Sequence, residues 1–120
     1  MYSYFTDAEL ACSCGCGGKM DEAFMVKVNY IRAEIGQPFV VNSAFRCGEH
    51  NNKVSRTGLN GPHTTGRAID IRADSRLKSL ILKSAAKQGV SRFGIAKSFI
   101  HIDDLNEAAG GFSSQVIWTY

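Results

Sequence analysis

The segment with the sequence GPHTTGRAIDI, residues 61–71, constrains the fold of this chain more than any other segment. Its first half carries His63 among a proline and two glycines, and residues of these types favour turns. In its second half, successive side chains would point to opposite faces of an extended strand, so that Asp70 falls on one face while Ile69 and Ile71 fall on the other. The segment therefore predicts a turn followed by a strand with one polar and one apolar face.

Helices and further short strands are predicted around this segment. Apolar residues recur at helical spacing over residues 20–35, and a second amphipathic helix covers residues 75–88. A capping box at residues 6–9 opens a short helix. Stretches rich in β-branched and aromatic residues predict strands; they cover residues 38–43, 66–73, 92–96, 98–104 and 115–120. A few helices beside a small antiparallel sheet indicate an α+β fold, and 120 residues suit a single domain, residues 1–120.

Composition narrows the class of protein. Hydrophobic residues make up 44% and charged residues 21% of the chain, which is typical of a folded soluble domain, and we expect a monomer. The net charge of +3 comes without a basic stretch interleaved with aromatics, so we expect no nucleic-acid partner. We expect no membrane partner either, because no apolar run approaches the length of a membrane span. The amino terminus lacks the features of a secretory signal, so we expect synthesis in the cytoplasm.

Two histidines and one aspartate form a candidate metal site. His63 stands in the predicted turn, Asp70 in the strand that follows it, and His101 in a second predicted strand. If the two strands are neighbours, two imidazoles and a carboxylate converge, and this set binds catalytic zinc while leaving a fourth position for water. Gly66 allows a sharp turn between the first two residues.

Spacing alone leaves a structural interpretation open. Single histidines and aspartates are common, and the same pattern fits a turn histidine, a solvated aspartate and a half-buried strand histidine. Spacing by itself favours that interpretation.

The motifs also resemble a known family. HTTGRAID matches the His-x-x-Gly-x-Ala-x-Asp signature of the zinc D-Ala-D-Ala metallopeptidases, which include D-alanyl-D-alanine carboxypeptidases and phage endolysin peptidases. The hedgehog signalling domain shares their fold. FIHIDD is similar to the second motif of the family, NSAFRC to an upstream segment with an arginine, and VIWTY to the end of phage-type members. The resemblance implies that His63, Asp70 and His101 are zinc ligands and that Arg46 steadies a substrate carbonyl or carboxylate.

The chain departs from the family at the catalytic base. Many relatives place Glu, Asp or His two or three residues before the last zinc histidine, where this chain has Ser98 and Phe99. Asp103 is the nearest carboxylate and lies two residues after His101, on the same face of the predicted strand. We expect Asp103 to act as the general base, or else to orient His101.

The resemblance implies a zinc peptidase that hydrolyses a peptide bond in the stem peptide of bacterial peptidoglycan. Phage and prophage murein hydrolases of this kind reach the wall through a holin or within a virion. The missing upstream base keeps a second interpretation open, in which the chain retains the metal but is a non-catalytic cell-wall-binding or virion structural module.

The four cysteines allow three interpretations, which the sequence leaves open. Cys12, Cys14 and Cys16 alternate, and Cys47 follows Arg46. They can be reduced thiols, one of the first three can form a disulfide with Cys47 outside the cell, or several can bind a second, structural zinc ion.

Four other residues near the motifs are interpreted as structural. We expect His50, which lies in a polar helix, to cap that helix or to form a hydrogen bond, and we expect Asp104 to be solvated. Trp118 and Tyr120 fit core or edge aromatics better than a surface that contacts substrate.

Overall fold

The computed structural model describes residues 4–58, 60–106 and 112–120. Its helices are α1 (Asp7–Leu10), α2 (Glu22–Ile35), α3 (Gly48–Val54) and α4 (Ser75–Lys87), and a 3-10 turn covers Pro62–Thr65. Its strands are β1 (Val41–Ser43), β2 (Ala68–Arg72), β3 (Arg92–Ile95), β4 (Phe99–Asp103) and β5 (Val116–Thr119). The predicted α+β fold is confirmed. None of the helices in the described part of the chain has the length and apolarity that crossing a bilayer requires.

Side-chain caps define the starts of the helices. In the predicted capping box, the Thr6 hydroxyl accepts a hydrogen bond from the Glu9 N–H at 3.1 Å, and the Glu9 carboxylate accepts one from the Thr6 N–H at 2.8 Å. The Asp21 carboxylate caps α2 by accepting from the N–H of Phe24 at 2.9 Å. Gly36 ends α2 in a left-handed conformation, with φ of 75°.

The five strands form one sheet in the order β1-β2-β4-β3-β5. The pairs among β1, β2, β4 and β3 are antiparallel, as predicted, but β5 pairs with β3 in parallel, so the sheet is mixed. Asp103 at the end of β4 and Val116 at the start of β5 both pair with Arg92. The chain therefore passes from one side of β3 to the other at the same end of the sheet, and this path makes β5 parallel to β3.

The two faces of β2 and β4 have opposite chemistry. Four isoleucines on one face are fully buried in the core that α2 and α4 share; they are Ile69, Ile71, Ile100 and Ile102. The other face carries Asp70 directly opposite His101, and Ala68 directly opposite Asp103. The alternation predicted from residues 66–73 therefore places the polar side chains of both strands together.

Gly66 holds the turn before β2 against the start of α2. Its φ is 76°, in the left-handed region that favours glycine. A Cβ atom there would lie 2.9 Å from the carbonyl oxygen of Lys19, and the carbonyl of Gly66 accepts a hydrogen bond from the N–H of Asp21 at 2.8 Å. Only glycine allows the turn that carries His63 to lie this close to residues 19–21.

Candidate functional site

The ring of His63 is oriented by the segment that follows β1. Its Nδ1 lies 2.7 Å from the carbonyl oxygen of Ala44, so a neutral ring donates its proton there and keeps the lone pair on Nε2. The carbonyl of His63 accepts a hydrogen bond from the N–H of Arg46 at 3.0 Å. Nε2 points at Asp70, 3.2 Å from Oδ2. The backbone around Ala44 and Arg46 therefore directs an electron pair of His63 toward Asp70.

Asp70 and His101 meet across the β2–β4 ladder. Nδ1 of His101 lies 2.8 Å from Oδ1 of Asp70. The rings of His63 and His101 lie 5.0 Å apart between centroids and are inclined at 75°. The structure thus brings the three predicted metal ligands together from a turn and two adjacent strands.

The geometry fits a zinc ion. One donor atom from each of His63, Asp70 and His101 lies within 4.8 Å of the others. Zinc binds nitrogen and oxygen at about 2.0–2.2 Å, so neighbouring donors of a tetrahedral site lie about 3.3 Å apart. The contacts of 2.8 Å and 3.2 Å to Asp70 are close to this spacing. Two imidazoles and one carboxylate also leave the fourth position of a tetrahedral site open.

Electrostatics keep Asp70 ionised. Burial opposes a charged carboxylate, but hydrogen bonds with His101 and His63, which donate to Asp70 when their rings are protonated, outweigh burial and hold the pKa of Asp70 well below its usual range. Burial also opposes a charged His101, but hydrogen bonds to Asp103 and Asp70 raise the pKa of this imidazole. A carboxylate of this kind is prepared to bind a cation.

Asp103 contacts His101 and does not line the cavity that opens beside the three candidate ligands. Its carboxylate is fully buried, and its Oδ2 accepts a hydrogen bond from Nε2 of His101 at 2.7 Å. Its Oδ1 accepts from Nε of Arg92 at 2.7 Å and from the N–H of Leu105 at 3.1 Å. Both oxygens are therefore occupied. Of its two predicted roles, this geometry favours orienting His101, because the bond to Nε2 leaves the Nδ1 lone pair facing Asp70.

A cavity of about 540 Å³ opens beside the three ligands, and Arg46 lines it. The Nε atom of Arg46 is buried and has no hydrogen-bond partner. An unpaired buried donor is costly, so this guanidinium is suited to an anionic or carbonyl group of a ligand. Asp70 is the one carboxylate among the described residues that line the cavity. The other lining residues are Val54, Ser55, Thr57, Pro62, His63, Arg92, Phe99, His101, Phe112, Trp118 and Tyr120.

Trp118 and Tyr120 lie in and directly after the edge strand β5, as predicted, but they also line the cavity, which was not predicted. The Trp118 ring lies 5.2 Å from the ring of His101. Gly94 makes this approach possible, because a Cβ atom there would lie 2.6 Å from Nε1 of Trp118. A glycine inside a predicted strand marks such close approaches, and it is the signal from which this contact could have been found.

Arg92 is a further residue whose role the sequence analysis missed. Its guanidinium holds Asp103, donates to the carbonyl of Ser113, and lies 5.2 Å and 5.3 Å from the ring centroids of Phe112 and Trp118. No motif in the sequence distinguishes this arginine from an ordinary strand residue.

Two structural interpretations have different outcomes. His50 forms the expected hydrogen bond, with its Nε2 at 3.0 Å from Oγ of Ser13. The expectation that Asp104 is solvated is wrong, because its side chain is only 2% exposed. Arg67 holds its two oxygens at 2.8 Å and 2.9 Å, and Lys27 lies at 2.8 Å. A buried carboxylate needs such partners, and the sequence did not reveal them.

The cysteines form a second group of possible ligands, which does not line the cavity. Donor atoms of Cys12, Cys14, Cys16 and Cys47 all lie within 4.8 Å of one another. The described residues thus contain two separate candidate metal sites.

Comparison with known proteins identifies the family. No curated protein matches the chain. The family model of peptidase M15 matches residues 3–103, a span that contains His63, Asp70 and His101 and ends before Trp118 and Tyr120. M15 peptidases act on peptides and are in general zinc-dependent, in agreement with the donor set beside the cavity. Because the match covers most of the chain, the protein belongs to the peptidase M15 family of metallopeptidases.

Proposed function

We propose that this protein is a zinc-dependent peptidase that hydrolyses a peptide bond in the stem peptide of bacterial peptidoglycan. The convergence of His63, Asp70 and His101 beside an open cavity carries the proposal. The likeness of the motifs to those of D-Ala-D-Ala metallopeptidases supports the choice of substrate.

The three ligands would hold the metal, and a bound zinc ion supplies a Lewis acid that polarises a carbonyl and lowers the pKa of a water to about 7. The residues around it fix the ligands. Ala44 orients His63 through its carbonyl, and Asp103 orients His101 through its carboxylate. Such contacts to ligating histidines set the tautomer and the ring position.

Arg46 would bind the substrate. Its guanidinium is positively charged, lines the cavity and has an unpaired Nε. A substrate carboxylate or carbonyl would satisfy that donor, and the planar fork suits two parallel hydrogen bonds. Arg46 would also stabilise negative charge that develops on the carbonyl oxygen during attack.

We further propose that Asp103 acts as a positioning residue for His101 and not as the general base. Its two oxygens are occupied by His101, Arg92 and Leu105, and it does not line the cavity. A general base must reach the proton that it removes, either directly or through one water.

Digestion of purified peptidoglycan tests the function and identifies the bond. Mass analysis of the products should show new amino and carboxyl termini within the stem peptide. His63→Ala should release none of them, because it removes a ligand. His50→Ala is the matched control, since His50 does not line the cavity, and it should cleave as the parent does. Equal cleavage by the parent and His63→Ala would show that the site is not catalytic.

A second candidate function is a metal-retaining module that binds the cell wall without cutting it. The observation in its favour is that Asp70, itself a candidate ligand, is the one carboxylate among the described lining residues. Such a module would sediment with peptidoglycan and release no new termini. Zinc-dependent sedimentation without cleavage would favour it over the peptidase.

We also propose a phage or prophage setting, on the likeness of residues 116–120 to the end of phage-type members. Synthesis in a bacterium together with a holin should then cause lysis, while synthesis alone should not. A virion component would instead co-purify with phage particles. Lysis without a holin would contradict holin-dependent release.

A further inference from the structure

The four cysteines come from two segments that are distant in the chain. Cys12, Cys14 and Cys16 lie on the loop after α1, and Cys47 caps the start of α3. The sulfur of Cys14 lies 3.2 Å from that of Cys12 and 3.2 Å from that of Cys47. With Cys16 included, the four sulfurs lie within 4.8 Å of one another.

The loop is shaped to bring alternating cysteines to one point. Gly15 separates Cys14 from Cys16 and has a φ of 76°, which favours glycine. The N–H of Gly15 donates to the carbonyl of Cys12 at 3.1 Å and closes a tight turn. The sequence Cys-x-Cys-x-Cys thereby wraps its thiols around a common centre.

Sulfur spacing favours a metal over a disulfide. A disulfide joins two sulfurs at about 2.0 Å and leaves the other two cysteines unused. Cys14 is equally distant from Cys12 and Cys47, so the geometry selects neither as its partner. Zinc–sulfur bonds of about 2.3 Å place the sulfurs of a tetrahedral site about 3.8 Å apart. Two of the observed sulfur–sulfur distances are 3.2 Å and all lie within 4.8 Å, a range that includes this value.

We propose that Cys12, Cys14, Cys16 and Cys47 bind one structural zinc ion as four thiolates, independently of the site beside the cavity. Four soft sulfur ligands in a tetrahedral arrangement are a typical zinc set, and a complete set of four leaves no position open for water. The ion therefore holds the chain together and takes no part in hydrolysis.

The contacts among the thiols shift the pKa values of Cys12 and Cys14 in opposite directions. Burial opposes ionisation of Cys12, but hydrogen bonds from the Cys14 and Cys47 backbone and thiols lower its pKa to about 7. Hydrogen bonds with Cys12 and Cys47 raise the pKa of Cys14 to about 12. Four crowded thiols cannot all ionise without a cation among them, and metal binding would release the remaining protons.

The ion would connect the cysteine loop to the residues that shape the cavity. Cys47 directly follows Arg46 in the chain. The N–H of Phe45 donates to the carbonyl of Leu10 at 3.2 Å, so residues 10 and 45 are already joined next to the cysteines. A metal bound to residues 12–16 and to Cys47 would hold these two segments together. It would thereby stabilise the backbone of residues 44–46, which orients His63 and positions Arg46.

Metal and thiol counts on the parent protein test this proposal without any variant. Protein purified under reducing conditions should contain about two zinc ions per chain, one for each candidate site. After denaturation with a chelator, all four cysteines should react as thiols, and before it they should be protected. Cobalt in place of zinc should give the intense sulfur-to-metal charge-transfer absorption of thiolate ligation.

Variants assign each ion to its site. Cys14→Ser/Cys16→Ser changes two exposed residues and should lower the zinc content from about two to about one and abolish the charge-transfer band. His63→Ala should also remove one zinc ion but keep the band. Ser13→Ala, in the same loop, is the matched control and should keep both ions.

Three results would overturn the proposal. Two or fewer reactive thiols in the denatured parent would show a disulfide. Four thiols that react freely in the native parent, with no second metal, would show unligated cysteines. Iron instead of zinc on the cysteines would contradict the assigned metal. All three are distinguishable from failure of the peptidase proposal, which concerns the ion that His63→Ala removes.

Discussion

The two candidate metal sites differ in how the protein holds their ligands. In the cavity site, each histidine has a protein partner at its second nitrogen, Ala44 for His63 and Asp103 for His101. In the cysteine site, formed by Cys12, Cys14, Cys16 and Cys47, the Cys14 thiol contacts the thiols of Cys12 and Cys47. The histidines of the first set are oriented by hydrogen bonds to residues outside the ligand set, whereas the thiols of the second set contact one another. We infer that one ion serves chemistry and the other serves the fold.

The largest expected effect is the loss of cleavage when a ligand of the cavity site is removed. His63→Ala removes a ligand, and losing zinc catalysis is worth several kcal/mol, so cleavage should fall by roughly 10³-fold or more. The thermal midpoint should change little, since the backbone contacts around Arg46 remain. Parallel assays of peptide cleavage and thermal unfolding provide the check. If His63→Ala lost thermal stability as well as activity, the claim that the cavity ion serves chemistry and not the fold would be contradicted.

The second prediction is the converse change at the cysteines. Cys47→Ser should lower the free energy of unfolding by on the order of 3 kcal/mol, because a structural metal contributes to folding. Serine caps a helix well, so loss of the cap at α3 does not explain such a drop. Calorimetry with and without added zinc measures it. A variant as stable as the parent, with the same zinc dependence, would place Cys47 outside the site.

The third prediction tests the hydrogen bond from His101 to Asp103 that orients the imidazole ring. Asp103→Asn should weaken zinc binding in the cavity by about 10–100-fold, because it alters the hydrogen bond that orients the ring. Asp104→Asn is the matched control, since Asp104 is a buried neighbour that pairs with Arg67 and Lys27 instead. It should cost stability but not zinc affinity. Equal losses of affinity in the two variants would mean that Asp103 acts only through folding.

The smallest expected effect concerns Arg46. Arg46→Lys keeps the charge and loses the planar fork, so cleavage should fall by about 10-fold while zinc content stays the same. Arg56→Lys, at an exposed position, is the control and should cleave as the parent does. Unchanged turnover in Arg46→Lys would show that the guanidinium does not bind substrate.

Local patterns predicted the elements that position the cavity site. The alternation of residues 66–73 placed Asp70 on a polar face, and the strand around residue 101 has the same alternation. The polar faces of both strands were predicted correctly because burial of the isoleucines fixes which face is apolar and which is polar. The place of Asp103 on the face of His101 follows from the same period of two.

Contacts between distant segments could not be read from the sequence. Cys47 lies beside the cysteine loop because a backbone hydrogen bond joins residues 45 and 10, and no local pattern encodes that contact. The burial of Asp104 depends on Arg67 and Lys27, which approach from other elements. The parallel pairing of β5 follows from the path of the chain around β3, and strand propensity carries no information on direction.

Zinc titration into metal-free protein tests the central claim most directly. A chelator should abolish peptidoglycan cleavage by the parent, and added zinc should restore it. Trp118 is the one tryptophan in the sequence, and its ring lies 5.2 Å from that of His101, so its fluorescence reports on the cavity ion. We predict that cleavage and fluorescence recover over the same range of added zinc, and that His63→Ala recovers neither. Cleavage that survives complete removal of zinc, or that returns in His63→Ala, would contradict the account.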